Sequence, residues 1–200
     1  MHTQTHLYKL KSYQPLEAIA IYQPFIYSIK YDEKEENEYD LLFQQWNDME
    51  YVIQFFESNK KYLQSTFWCR IREPEAAAQQ VIDEAEALEV LFDELADNAE
   101  NGRKPDFDSH FKYLEGKYQY ELEWQPMKSY GPQRPSLLRI YAIKLDANTY
   151  LITGGGIKLA DKIQNSPDLK DHVLQNIDRV RRWLKDNGIM DGEDIIEPSK

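Results

Sequence analysis

With 200 residues, the chain can bury one sizeable core, about 70% of its unfolded surface at this length, without disulfide or metal support. A net charge of −11 argues against a general nucleic-acid binder, because phosphate contacts need Lys and Arg. The one cysteine, Cys69, excludes an internal disulfide and cysteine-based zinc sites and fits a reducing compartment.

Residues 1–11 carry no cationic head followed by an apolar run, so no signal peptide is predicted. The most apolar stretch, residues 16–29, is interrupted by Gln23, Pro24 and Ser28 and falls short of the ~18 unbroken apolar residues of a membrane span. A cytoplasmic protein with no membrane contact is the expectation.

Residues 19–31 read as a strand: Ile19, Ile21, Phe25, Tyr27, Ile29 and Tyr31 fall mostly at period two, and Pro24 marks a bulge or an edge position. A charged turn follows, then a helix over about residues 38–58, with Tyr39, Leu42, Phe43, Trp46, Met49, Ile53 and Phe56 on one face. That aromatic face reads as core. Residues 59–72 form a connector with a short helical turn. A second helix runs over about residues 74–99. Pro74 sits in its first turn, Glu75 lies at the positive dipole end, and Asn101-Gly102 makes the stop. Its core face is Ala78, Val81, Ile82, Ala85, Leu88, Phe92 and Leu95, and Glu84, Asp93, Glu94 and Asp97 are assigned to the solvent face.

From residue 118 the period changes to two. Tyr118, Tyr120, Leu122 and Trp124 alternate with polar residues as in a half-exposed strand. Residues 126–135, with three prolines and Gly131, read as an irregular loop carrying Lys128 and Arg134. Strands over residues 137–145 and 149–153 flank a tight turn at Asp146-Ala147-Asn148. Gly154-Gly155-Gly156 is expected to break the last strand with positive φ. Ser166-Pro167-Asp168 then starts a final helix that buries Leu169, Val173, Ile177, Val180 and Leu184 and ends at Gly188. An acidic, frayed tail follows.

These elements predict an α+β fold: an antiparallel sheet, made of the N-terminal strand and a three-stranded meander, packed against two N-terminal helices and a C-terminal helix. We read one domain over 1–200, with a strand region over about 1–35, a helical part over 36–102, the meander over 113–160 and the last helix over 166–188. Charge divides along the same lines. Residues 31–101 hold five basic and nineteen acidic residues, whereas residues 113–165 hold seven basic and five acidic. The acidic helices are a solvated face or a landing site for a basic partner.

Few constellations carry chemistry. The glycine run lacks the Lys-Ser/Thr ending of a phosphate loop, since Lys158 precedes Leu159 and Ala160. His2, His6, His110 and His172 have no ligand spacing, and no nucleophile elbow or Cys/His pairing is present, so neither metal nor cofactor is expected. What remains is basic and phenolic: Lys128, Arg134, Arg139, Tyr141, Lys144 and Lys158. By parity Arg139, Tyr141 and Ile143 share one strand face, while Ile140, Ala142 and Lys144 share the other. An arginine beside a tyrosine can stabilise phosphorane-like charge next to a proton donor or acceptor, which is what RNA cleavage through the 2′-hydroxyl needs. Ordinary strand charges, or a paired structural arginine, are the alternative.

The order strand, helix, helix, meander, helix resembles the RelE/ParE toxin superfamily, and the local wording is most similar to its HigB-like branch. That branch carries Tyr-Glu-Leu-Arg, then Arg-Ile-Leu-Tyr, then an apolar strand ending His-Gly-Phe-x-Lys-Lys-Thr. The similar pieces here are Tyr120-Glu121-Leu122-Glu123, Arg139-Ile140-Tyr141, and Leu151 through Lys158, across about residues 75–185. Glu123 replaces the first motif's arginine, Leu159 and Ala160 replace its second lysine and threonine, and Thr153 or Gly154 stands for the histidine.

The resemblance implies a ribosome-dependent, metal-independent mRNA endonuclease restrained by a small antitoxin, a helix-turn-helix protein in expectation. Arg139, Tyr141 and Lys158 are then the catalytic candidates. Lys144, Lys128 and Arg134 are the RNA-binding ones. A catalytically inactive protein on the same scaffold, binding a partner through its acidic helices, is the alternative.

Overall fold

The computed structural model describes residues 16–64, 73–115, 123–131 and 135–196. In chain order the elements are β1 (Glu17–Tyr22), β2 (Ile26–Lys30), α1 (Glu38–Asn47), α2 (Met49–Ser58), α3 (Lys60–Leu63), α4 (Pro74–Glu100), β3 (Lys112–Tyr113), β4 (Gln125–Tyr130), β5 (Leu138–Asp146), β6 (Thr149–Ile157), α5 (Val173–Asp186) and α6 (Gly192–Ile196). The α+β class follows the sequence pattern. The six strands form one sheet in the order β1-β2-β6-β5-β4-β3. All neighbours are antiparallel except β2 and β6, where Ile26 lies opposite Tyr150 and Ser28 opposite Ile152 in parallel register. The sheet is therefore mixed, not purely antiparallel. A parallel pair needs a long crossover, and the helices and meander between β2 and β6 supply it.

Both sheet faces are covered. Ile26, Ile140, Ala142, Tyr150 and Ile152 pack against Leu42, Val52, Phe56, Val81, Leu88 and Phe92 of α1, α2 and α4. On the other face α5 sets Val180 and Leu184 against Tyr27, Ile29, Ile143 and Leu151, and Val173 and Ile177 against Tyr141. The helical aromatics are core, as expected. Phe92 has its ring centroid 6.3 Å from that of Tyr22, 6.1 Å from Phe107 and 6.2 Å from Phe111, and Phe111 stacks on Tyr150 at 4.1 Å. Rings this close add to their area burial.

Several boundaries differ from expectation for identifiable reasons. Residues 19–31 form two strands, because Pro24 cannot donate to a ladder and sits in a turn closed by Phe25 N–H donating to Tyr22 O at 2.7 Å. The helix over 38–58 is broken at Asp48, whose carboxylate accepts from the amides of Glu50 and Tyr51 at 3.0 and 3.1 Å and starts a new helix. The break resets the helical phase, which leaves Met49 40% exposed while Val52 and Phe56 are buried.

Residues 125–130, expected to be irregular, form β4 and pair with β5 from Gln125 opposite Lys144 to Tyr130 opposite Arg139. Residues 118–122 of the expected strand lie outside the described residues, as do His2, His6, Cys69 and Arg134. β6 runs through its glycines instead of ending at them. Ser166 does not cap the last helix, which begins at Val173; its hydroxyl accepts from Leu159 N–H and donates to Ile157 O. All five apolar positions expected on that helix's buried face are nonetheless buried. No helix among the described residues is long and apolar enough to cross a membrane.

Candidate functional site

Strand parity gathers the basic residues. In the β3–β4–β5–β6 ladder, Lys112 lies opposite Lys128, Lys128 opposite Tyr141, Tyr130 opposite Arg139, and Arg139 opposite Gly156. These side chains share the face that α5 covers only in part. Beyond α5, strands β4 and β5 meet the segment after β6 in a cleft of about 410 Å³. Its basic and phenolic wall is Lys128, Tyr130, Arg139, Tyr141, Lys158 and Lys162, with Glu115 and Asp161 at the exposed rim. Arg139, Tyr141, Lys158 and Lys128, all named from sequence, meet here. Tyr130 and Lys162 were not anticipated.

Arg139 is 8% exposed. Its Nη1 donates to Ser136 O at 3.0 Å, Ser136 Oγ at 3.2 Å and Leu138 O at 2.6 Å, and its guanidinium lies 4.2 Å over the Tyr130 ring. Lys128 Nζ is 5.9 Å from the same ring centre and 4.0 Å from the exposed carboxylate of Glu115. Burial, then the charges of Arg139 and Lys128, holds the Lys158 ammonium below the usual lysine pKa. Burial pushes the Tyr141 hydroxyl up, with Arg139 opposing it, so Tyr141 is a phenol at neutral pH. The cleft thus offers fixed positive charge, an ammonium that gives up its proton more readily than an ordinary lysine, and a hydrogen-bond donor.

Lys144 is not part of it. As parity requires, it lies on the opposite face, where Lys144 Nζ pairs with Asp108 Oδ1 at 2.9 Å. Asp108 also accepts from Tyr150 Oη at 2.5 Å and from Asn148 N–H at 2.9 Å, tying the β5–β6 turn to the single helical turn Phe107–Ser109. Lys144, named for RNA contact, thus lies outside the cleft and is engaged in an ion pair.

Burial pushes the Asp108 carboxyl up, but hydrogen bonds from Tyr150, Lys144 and Asn148 outweigh it and leave the pKa below the ordinary value. The unfolded value is near 3.9, so this contribution is complete above about pH 5 and is lost as pH falls through the lower folded value. Asp108→Asn is expected to lower unfolding stability by about 1 kcal/mol at pH 7, with the deficit shrinking towards pH 3. Urea titrations at both pH values measure it, and a deficit independent of pH refutes the assignment.

Two acidic residues assigned to solvent or left unremarked are internal. Glu84, expected on the exposed face of α4, is fully buried, and Glu38 at the start of α1 is 4% exposed and paired with Lys34. Burial raises the Glu38 carboxyl pKa, with Lys34 opposing. Among the described residues no group of three or more His, Cys, Asp or Glu side chains is placed to hold a metal ion.

The site therefore defines an α+β protein with a cationic, tyrosine-lined cleft at one end of a mixed sheet. No protein-family model, curated protein or solved structure matches this chain.

Proposed function

We propose that this chain is a RelE/HigB-like toxin of a toxin–antitoxin system: a cytoplasmic, ribosome-dependent mRNA endonuclease that works without a metal and is restrained by a cognate antitoxin over the cleft. One observation carries the reading. Arg139, Lys128, Lys158 and Lys162 converge around two tyrosines in a protein whose net charge is −11. Attack of a ribose 2′-hydroxyl on the adjacent phosphorus forms one P–O bond and breaks the bond to the 5′-oxygen. The hydroxyl proton passes to water, and the departing oxygen gains one. The products are a 2′,3′-cyclic phosphate and a 5′-hydroxyl.

Arg139 and Lys128 offset the charge of the phosphorane. Lys158, with its lowered pKa, is a better proton donor to the 5′-oxygen than an ordinary lysine. Tyr141, held protonated, donates a hydrogen bond to a non-bridging oxygen. Tyr130 is a surface on which a base can stack.

Expressed alone, the chain is expected to arrest growth and deplete translated mRNA, and Arg139→Ala to relieve the arrest by at least about a hundredfold in surviving colonies, the scale of one lost transition-state contact. A wild-type chain that leaves growth and mRNA untouched would falsify this reading. It would favour the inactive interaction protein, for which the exposed Asp83, Glu86, Asp93, Glu94 and Asp97 of α4 provide a surface for a basic partner.

A further inference from the structure

Glu84 is a fully buried carboxylate in the middle of α4, and its oxygens are crowded with donors. They accept from Gln80 Nε2 at 2.6 Å, Ser136 Oγ at 2.8 Å, Leu137 N–H at 3.1 and 3.2 Å and Leu138 N–H at 3.1 Å. Four donor groups therefore converge on two carboxyl oxygens, which hold the side chain in one orientation. The chain also passes close over it: a Cβ on Gly131 would stand 2.2 Å from Glu84 Oε2 and 2.9 Å from Ser136 Oγ.

The far side of the same backbone holds Arg139. In a trans peptide the N–H and C=O point in opposite directions. When Glu84 draws in the amide of Leu137, the carbonyl of Ser136 turns outward, and there it accepts from Arg139 Nη1 at 3.0 Å. The Ser136 hydroxyl has one proton. Two acceptors lie in its reach, Glu84 Oε2 at 2.8 Å and Leu138 O at 3.1 Å; donation along the shorter contact to Glu84 leaves its lone pairs for Arg139 Nη1 at 3.2 Å.

We propose that Glu84 is a positioning residue for Arg139, acting through the 136–138 backbone and the Ser136 hydroxyl to fix the guanidinium against Tyr130 in the cleft wall. The acidic helix and the basic cleft are in this way one mechanical unit: a carboxylate on one sheet face sets the cation on the other. The functional consequence rests on the reading of the cleft as a phosphate site, but the positioning does not, and the two are tested separately.

The direct readout is the Nε–Hε signal of Arg139 in a 15N-labelled protein, assigned by its loss in Arg139→Lys. In the wild type it is expected to be resolved from the exposed arginines and slow to exchange. Ser136→Ala keeps both amide bonds to Glu84 and so keeps the fold, yet it is expected to move the signal towards the exposed arginines and to speed its exchange at least about tenfold, the scale of one lost charge-assisted hydrogen bond. Glu84→Gln is expected to do the same more strongly, and Ser136→Thr, which restores the hydroxyl, to return the wild-type signal.

The second readout is binding of a single-stranded RNA carrying 2′-O-methyl groups, which cannot be cut through the 2′-oxygen; about threefold to tenfold weaker binding is expected for Ser136→Ala. An Arg139 signal unchanged in both Ser136→Ala and Glu84→Gln overturns the proposal. If the signal responds as described while the wild type fails to bind the RNA, the positioning stands and the phosphate-site reading fails.

Discussion

Gly155→Ala is expected to cost about 3 kcal/mol, a drop in Tm of roughly 6–12 °C for a chain of this size. A Cβ at this position would stand 2.5 Å from the carbonyl oxygen of Arg139 and 2.7 Å from Leu42 Cδ1. The first of these is backbone of the neighbouring strand, which cannot step aside alone. The second is α1 lying directly on β6, a contact as close as the missing side chain allows. Gly155 lies outside the positive-φ region, so the expected loss is one of space.

Gly102 makes the converse control. It has φ +79, and a Cβ there would meet nothing within 4 Å, so Gly102→Ala carries only the left-handed backbone penalty of about 1 kcal/mol. Thermal or urea unfolding of the two variants separates these effects. Equal losses would show that β6 and α1 have room to part, and would refute close packing as the reason for glycine at 155.

The neighbouring glycines explain why the strand does not end where the sequence suggests. Gly154 and Gly156 do have positive φ, at +146 and +153, but they keep their pairing with Tyr141 and Arg139 of β5. The register shifts between Tyr141 and Ala142, which leaves Thr153 as the extra residue, with its hydroxyl donating to Tyr141 O at 3.2 Å. A bulge and three small residues let α1 approach from one face and Asp168, which accepts from Ile157 N–H at 2.6 Å, from the other. Local sequence signals the flexibility of glycine. Whether the sheet uses it to stop or to admit neighbours depends on what packs there.

The same distinction governs the site. The face shared by Arg139 and Tyr141 was legible because strand parity is a local rule, and the ladder carries it unchanged to Lys128 and Tyr130. The strand that holds those two was hidden by its prolines, so Lys128 read as a loop residue and Tyr130 went unnamed, although both alternate with the buried Met127 and Ser129 as a strand requires. Parity also placed Lys144 on the face opposite Arg139, but its pairing with Asp108, 36 residues earlier, had no local signal.

Glu84 had a signal of a different kind. It falls three residues after Val81 and four before Leu88, on the buried stripe of α4, where charge made solvent the natural assignment. Its partners, Ser136 to Leu138, are some fifty residues away, and no local pattern announces them. The parallel pairing of β2 with β6 is non-local in the same sense.

Lys158→Met is expected to make the protein slightly more stable and a poorer anion binder, a combination that separates a functional cation from a structural one. The Lys158 pKa lies below that of the unfolded chain, near 10.4, because the folded side chain is partly desolvated and faces Arg139 and Lys128. Between the lowered folded value and 10.4 the unfolded chain binds more protons, so this group's contribution to stability rises with pH across that window. At neutral pH the ammonium carries its full cost, and methionine removes it.

Because Lys158 is only half-buried, solvent screening limits the gain to less than about 1 kcal/mol. Binding moves the other way. A phosphate in the cleft offsets the crowding of three cations, so losing one is expected to weaken a 2′-O-methyl single-stranded RNA at least tenfold and to reduce the slope of log affinity against log salt by about 0.7. Wild-type affinity is expected to fall as pH rises through the lowered Lys158 pKa, before ordinary lysines lose their charge, and the variant to lack that step. Lys144→Met provides the contrast, with unchanged affinity and a small loss of stability as Asp108 loses its partner. A Lys158→Met protein that binds as tightly as the wild type removes Lys158 from the site, and with it the amine that gives the cleft its proton chemistry.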